Sequence, residues 1–159
     1  GGFSDVKRGD WYAPYVAFAK RYGIANGYLD GTFRPEQPVS RAELVKLIAS
    51  YFTVEGGTSP FPDVPGGHWA AEVVSFAAEE GWVSGYPDGT FRPDAPVSRA
   101  EAVKILNHAL DRRAGERAAA LPFTDVEKGH WACDEIREAA VSHTYRKSGE
   151  GETWLTYER

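Results

Sequence analysis

The sequence contains little cysteine, no methionine and no long apolar run. A single residue, Cys133, excludes an internal disulfide framework. No apolar run approaches the ~20 residues that a membrane-spanning helix needs, so we expect no membrane insertion. Without methionine the chain has no initiator residue, which indicates a fragment or a processed product from which any signal peptide has been removed.

Positive charge is also scarce. The 18 lysines and arginines are outnumbered by 23 acidic residues, which gives a net charge of −5. No cluster of lysines and arginines is present that could bind a phosphate backbone, which argues against nucleic acid as a partner. With 42% apolar and 13% aromatic residues, however, 159 residues can bury a real core and suit one compact domain.

Catalytic and metal-binding patterns are missing from the sequence as well. Asp30 and Asp88 precede glycines, as in calcium loops, but the alternating acidic ladder of such a loop is absent. His68 and His130 each precede a tryptophan, and Asp10 takes that place in the first copy, which favours capping or solvent exposure over metal ligation. Paired glutamates fall on polar helix faces rather than across a cleft. We therefore predict no enzyme activity, no cofactor and no metal.

The chain contains two copies of one sequence repeat. Residues 27–43 read GYLDGTFRPEQPVSRAE, and residues 85–101 read GYPDGTFRPDAPVSRAE. Shifting the chain by 58 residues also superimposes Trp11 on Trp69 without a gap. A fixed period of this kind predicts a repeat architecture.

Turn residues divide each unit. Gly27 and Gly85 follow a helical pattern, and we expect them to adopt positive φ and to end that helix. The dipeptide Asp30-Gly31 predicts a tight turn, and Asp88-Gly89 predicts the same turn in the second copy.

A second helix follows the turn in each unit. Ser40 with Glu43, and Ser98 with Glu101, have the spacing of a capping box, in which side chain and backbone exchange hydrogen bonds at a helix start. The second helices should therefore begin at Arg41 and Arg99.

The first helix of the first unit carries an aromatic face. Trp11, Tyr15, Phe18, Ala19 and Tyr22 recur at helical spacing, and we expect this face to be buried.

The third unit departs from the pattern. Trp131 opens a helix, but neither the turn segment nor the Ser-Arg-Ala-Glu motif follows His143. Instead, residues 144–147 and 153–157 flank a glycine-containing turn, which predicts a β-hairpin.

The arginine at the start of each second helix runs against local preference. Arg41 and Arg99 face the positive end of the helix dipole, where an acidic residue would be favoured by roughly 0.3–1 kcal/mol. A local rule broken without visible gain is typical of a functional residue. The alternative is a structural ion pair with a neighbouring acid such as Asp5 or Asp63.

These motifs together resemble a known family. The combination of FSDV, a tryptophan soon after, GYxDGTFRP and SRAE closely resembles the S-layer homology repeat of bacterial surface proteins, over residues 3–52 and 61–110, with a partial third copy from Phe123. The resemblance implies a mainly α fold of three tandem helix-loop-helix repeats in a pseudo-threefold, three-pronged domain, with a truncated third repeat ending in the hairpin. Repeat boundaries are expected at 1–54, 55–115 and 116–159. Packing supports this, because a two-helix unit cannot bury its apolar face alone.

The resemblance also implies a function. Members of the family anchor surface proteins non-covalently to the cell wall through inter-repeat grooves that hold a secondary cell-wall polysaccharide with pyruvate ketals on N-acetylmannosamine. An arginine fork suits the ketal carboxylate, and free amides at the helix start add to an anion site. We accordingly expect a secreted, cell-surface location as part of a larger surface protein. The expected ligand-binding residues are Arg41, Arg99, Trp11, Trp69, Trp131, Asp5, Asp63, Asp125, Gly27, Asp30, Gly31, Gly85, Asp88 and Gly89.

Two other functions stay open at this point. The grooves could hold an acidic segment of a partner protein or serve S-layer self-assembly. An enzyme of polysaccharide metabolism is the third possibility, but no catalytic constellation supports it.

Overall fold

The computed structural model describes residues 2–112, 120–148 and 151–157. In these ranges the chain forms five helices followed by one antiparallel hairpin, which confirms the expected mainly α fold with a C-terminal hairpin. The helices are α1 (Ala13–Arg21), α2 (Arg41–Ala49), α3 (Ala71–Glu79), α4 (Arg99–Ala109) and α5 (Cys133–Ala140), and the strands are β1 (His143–Ser148) and β2 (Gly151–Tyr157). The predicted boundary at 115 and 116 and the tip of the predicted hairpin turn lie outside the described residues.

Both capping boxes are present, and the second helices start where the sequence predicts. In α2, the Ser40 hydroxyl accepts a hydrogen bond from the Glu43 amide at 3.2 Å, and the Glu43 carboxylate accepts one from the Ser40 amide at 2.8 Å. Ser98 and Glu101 repeat this exchange at the start of α4. The caps satisfy amides that would otherwise have no partner at the helix start.

The glycine prediction was half right. Gly27 and Gly85 have the expected positive φ, 73° and 70°, but they do not end the helices. α1 and α3 end earlier, and Gly23 (φ 70°) and Gly81 (φ 72°) follow their caps. Gly27 is needed for a different reason, because a Cβ there would overlap the Phe3 ring and the Thr32 carbonyl.

Units pack in a directional way. Each second helix packs against the first helix of the following unit, α2 against α3 and α4 against α5, and α2 also touches α4. The main hydrophobic core is built from α2, α3, α4 and the segments between them, and it includes the fully buried Val45, Val74 and Phe91. An isolated bridge between Ser40 and Pro96 joins the turn segments of the first two units.

The aromatic face of α1 is exposed, so the prediction that it is buried was wrong. Trp11 is 81% exposed, and Tyr15, Phe18 and Tyr22 are exposed as well. The difference follows from the packing of each first helix against the second helix of the preceding unit. In the part of the chain that the structure describes, no second helix precedes α1, and the third unit has a hairpin where its own second helix would lie.

The hairpin takes the place of the third turn and helix. β1 pairs with β2 from His143 opposite Tyr157 to Ser148 opposite Gly151, with an irregularity after Thr144. Trp154 on β2 donates a hydrogen bond to Glu138 on α5 at 2.8 Å, which joins the hairpin to the third unit's helix. Within the described ranges, no helix has the length and apolar character needed to cross a bilayer.

Candidate functional site

Arg41 extends out of its own unit and into the next one. Its Nε donates to the Phe91 carbonyl at 2.9 Å, and its Nη1 lies 3.0 Å from Glu101 Oε1. The guanidinium lies 4.8 Å from the centre of the Tyr86 ring and 4.9 Å from that of Phe91. The side chain is 7% exposed. The first unit therefore supplies a buried cation to the turn and second helix of the second unit.

Glu101 explains how a buried arginine is accommodated here. Its carboxylate also accepts hydrogen bonds from the Tyr86 hydroxyl at 2.8 Å and from the Ser98 amide at 2.9 Å. Burial by itself raises the pKa of Glu101, but the hydrogen bonds from Ser98 and Tyr86, with Arg41 nearby, outweigh it and leave the pKa below its ordinary value. Glu101 thus stays ionised opposite Arg41 at neutral pH.

Arg99 occupies the equivalent position in the second unit and behaves differently. It is exposed, and within the described residues no hydrogen bond or ion pair involves its side chain. Its partners would belong to a turn segment and a capping glutamate in the third unit, which that unit lacks. The missing half-repeat therefore leaves Arg99 in solvent.

The cavity at Arg41 is built by all three units. It has a volume of about 200 Å³ and lies between the second and third units. The Lys104 ammonium lies 5.9 Å from the centre of the Trp131 ring, and both residues line the same cavity as Arg41. Its lining comprises Arg41, Trp82, Val83, Ser84, Gly85, Tyr86, Glu101, Lys104, Ile105 and Trp131.

The equivalent residues between the first and second units make similar contacts, but no arginine joins them. Lys46 lies 5.2 Å from the centre of the Trp69 ring, as Lys104 does near Trp131. Glu43 accepts a hydrogen bond from the Tyr28 hydroxyl at 2.7 Å, as Glu101 does from Tyr86. No earlier unit in the described chain delivers a guanidinium to Glu43. Of the contacts described here, the one made by the guanidinium is missing between the first and second units.

Asp5 and Asp63 accept hydrogen bonds from backbone amides of their own units. Both oxygens of Asp63 accept hydrogen bonds from backbone amides, those of Phe91 at 2.9 Å and Arg92 at 2.7 Å. Asp5 makes the same pair of bonds in the first unit. Neither aspartate pairs with Arg41, so the ion pair considered from the sequence forms with Glu101 instead.

The other expected site residues are spread over the surface. The groove brings together Arg41, Gly85 and Trp131. Asp30 and Asp88 instead bridge to Arg34 and Arg92 at 2.8 and 2.9 Å within their own turns. Exposed positions outside this groove are Trp11, Trp69, Gly27, Gly31, Gly89, Arg99 and Asp125.

The prediction of free amides beside Arg41 was wrong. The Arg41 amide donates to the Ala95 carbonyl, and the Ala42 amide donates to the Pro93 carbonyl, each at 3.0 Å. The turn of the second unit therefore uses the donors at the start of α2. An anion in this groove must be bound by side chains.

Sequence reasoning missed Lys104 and Tyr86. Both repeat at the same 58-residue step, as Lys46 and Tyr28 in the first unit, and this recurrence was the available signal. The period alone does not reveal that a lysine lies near the tryptophan of the following unit.

The fold and groove define a class: a tandem helical repeat module with a cationic, aromatic cleft between units. Residues 2–45 and 60–103 match the S-layer homology domain, and together these segments cover just over half of the chain. The chain therefore belongs to the S-layer homology domain family, as tandem repeats of a bacterial cell-surface protein.

Relatives at the cell surface agree with this assignment. The chain is 34% identical to the "Cellulosome-anchoring protein" of Acetivibrio thermocellus over 94% of its length and 35% of that protein's length. It is also 34% identical to "Cell surface glycoprotein 1" of the same organism, over 96% of the chain and 7% of that protein. The "S-layer protein EA1" of Bacillus anthracis is 35% identical over 67% of the chain and 13% of that protein. The chain thus spans about a third or less of these relatives.

Proposed function

We propose that this chain anchors a surface protein non-covalently to the cell wall by binding an anionic secondary cell-wall polysaccharide in the groove between the second and third units. The observation that carries the proposal is that Arg41, Lys104 and Trp131 border one cavity in a chain whose net charge is −5. The proposed ligand is a pyruvylated amino sugar, which presents a carboxylate beside an apolar ring face.

Each part of such a ligand has a partner in the groove. Arg41 uses Nε and Nη1 within the protein, and among the described residues no hydrogen bond involves Nη2, which leaves a donor for a carboxylate. Lys104 adds a point charge, and Trp131, which is 60% exposed, offers a face for the sugar ring. Tyr86 and Glu101 supply polar groups for ring hydroxyls.

The size of the cavity favours a small part of the polymer. About 200 Å³ is below the ~300–1,000 Å³ of pockets that enclose drug-sized ligands. The groove would therefore hold one acidic sugar residue while the rest of the polysaccharide remains in solvent.

The relatives support an anchoring role that is separate from catalysis. One is named as an anchor, and others are named as S-layer proteins. Among relatives named as enzymes, the chain covers 11% of "Exoglucanase XynX" and 6% of "Amylopullulanase". We propose that the repeats likewise form a non-catalytic part of a larger protein here.

The two equivalent lysines provide a matched test. Lys104→Ala should weaken binding to isolated wall polysaccharide by about 10- to 100-fold, since hydrogen bonds to charged groups contribute ~1.5–3 kcal/mol. Lys46→Ala removes the equivalent lysine between the first and second units, where no arginine is present, and it should have little effect. Binding is measured by titration calorimetry with native and depyruvylated polysaccharide. Equal losses in both variants, or unchanged binding after depyruvylation, would contradict the proposal.

Protein assembly is a second candidate, favoured by the exposed aromatic face of α1. Monomeric proteins seldom expose a large apolar patch without a partner for it. If this face mediates self-assembly, sedimentation should show concentration-dependent association that Phe18→Glu abolishes. A monomer at all concentrations would exclude self-association through α1.

A further inference from the structure

We propose that α5 and the hairpin form a binding site for a divalent transition metal, with Glu138, His143 and Glu152 as ligands. Each residue offers one ligand atom, and these three atoms lie within 4.8 Å of one another. Glu138 comes from α5, His143 from the first position of β1 and Glu152 from β2. The site is separate from the groove at Arg41.

Burial makes this cluster unusual. Glu138 is 1% exposed and Glu152 is 8% exposed, and the side chain of His143 is 2% exposed. Both carboxylate oxygens of Glu152 and the Nε2 of His143 are buried without a hydrogen-bond partner. Burying charged or polar atoms in this way is costly unless something compensates them.

The hydrogen bonds of His143 show what kind of group is needed. Its Nδ1 lies 2.7 Å from the Val141 carbonyl, which can only accept, so Nδ1 carries a proton. In the neutral ring, Nε2 then presents a lone pair to the Glu138 carboxylate at 3.2 Å. Two acceptors facing each other require a cation between them, and a backbone-anchored imidazole of this kind is typical of metal ligation.

Neighbouring groups orient the ligands. The Trp154 ring stacks on His143, with ring centres 3.9 Å apart and planes 13° from parallel, and its Nε1 donates to Glu138 Oε2. Arg112 lies 3.0 Å from Glu138 Oε1, so it neutralises one of the two carboxylates. Lys147 pairs with Asp111. Among the described residues Glu138 has an arginine in ion-pair contact and Glu152 has none, so a divalent ion would balance the charge of Glu152.

The donor set points to the class of metal. One imidazole nitrogen and two carboxylates suit zinc and related ions, whereas calcium takes six to eight oxygen ligands.

A metal ion here would connect the hairpin of the third unit to α5. A two-stranded hairpin is marginally stable on its own. Ligands from α5, β1 and β2 would tie both strands to the helix, and metal binding would add its free energy to folding of the hairpin.

Cobalt titration of the full chain tests the proposal. The wild type should bind one equivalent of Co²⁺ with visible d–d absorption, and Zn²⁺ should displace it and raise the melting temperature. Glu152→Gln should weaken metal affinity by about tenfold or more, since even outer groups around a metal contribute 10- to 100-fold. Glu80→Gln, at the exposed C-cap glutamate that follows α3, should behave like the wild type.

Two results would overturn the site. One is metal binding by Glu152→Gln that matches the wild type. The other is an absence of Co²⁺ absorption in the wild type together with an NMR titration that shows His143 doubly protonated near neutral pH. In that case a proton occupies the position between His143 and Glu138 that we assign to the metal ion. Should Glu152→Gln fail to fold, the wild-type cobalt spectrum and the His143 ring signals decide the question by themselves.

Discussion

Replacing Arg41 by alanine should destabilise the chain far more than replacing its repeat counterpart Arg99. Arg41 is buried and bonds to the Phe91 carbonyl and to Glu101 across the unit boundary. Arg99 is exposed, and the described residues give it no hydrogen bond or ion pair. Sequence equivalence would predict equal effects, whereas the packing of the units predicts a large effect for Arg41 and a small one for Arg99.

The magnitude follows from the groups that remain. Removing one partner of a fully buried ion pair costs ~3–5 kcal/mol. The Glu101 side chain is 22% exposed, and the Ser98 and Tyr86 hydrogen bonds act on its pKa more strongly than Arg41 does. We therefore expect a value somewhat below that range, about 2–3 kcal/mol, for Arg41→Ala. Arg99→Ala should stay within about 0.5 kcal/mol and can be slightly stabilising, since it removes a cation from a helix start.

Thermal unfolding followed by circular dichroism separates the two variants. For a domain of this size, 1 kcal/mol shifts Tm by roughly 2–4 °C, so Arg41→Ala should melt about 5–10 °C below the wild type. Arg99→Ala should melt within about 2 °C of it. Equal melting temperatures for both variants would refute the reasoning that the arginine of one unit belongs structurally to the next.

Two further predictions concern the turn segments. Gly85→Ala should lower the urea midpoint more than Gly89→Ala, because both positions have positive φ but a Cβ at Gly85 would also overlap the Phe61 ring. We expect an additional ~1–3 kcal/mol from this overpacking, and equal midpoints would contradict it. Hydrogen bonds from Thr32, then Arg34, lower the pKa of Asp30 to about 2. Its stabilising effect is thus complete above the unfolded pKa near 4 and is lost as pH falls toward 2. Tm measured from pH 5 to pH 2 should therefore fall less steeply in Asp30→Asn, and parallel curves would show that Asp30 contributes nothing.

Structural features that depend on nearby residues could be predicted from the sequence. The capping boxes at Ser40 and Ser98 depend on atoms three residues apart, so their spacing was enough to predict where α2 and α4 begin. The hairpin after His143 was predictable for the same reason. The period of 58 residues also predicted a repeat architecture and the family.

Contacts between units could not be predicted in the same way. The sequence treats Arg41 and Arg99 as equivalent, yet one is buried and the other is exposed, because a guanidinium at the start of a second helix needs the turn of the following unit. The aromatic face of α1 is exposed for a related reason, since it needs the second helix of a neighbouring unit. The cluster of Glu138, His143 and Glu152 joins a helix and two strands at irregular spacing, so no sequence period marks it.

The sequence by itself determined the unit, its turns and its helix starts, because these depend on neighbours within a few residues along the chain. Tertiary structure decided which copy of each repeated residue has a partner, because the directional packing of units ends where the third one changes. Packing between successive units brings Arg41 and Trp131 to one groove, and the end of that packing leaves Arg99 in solvent.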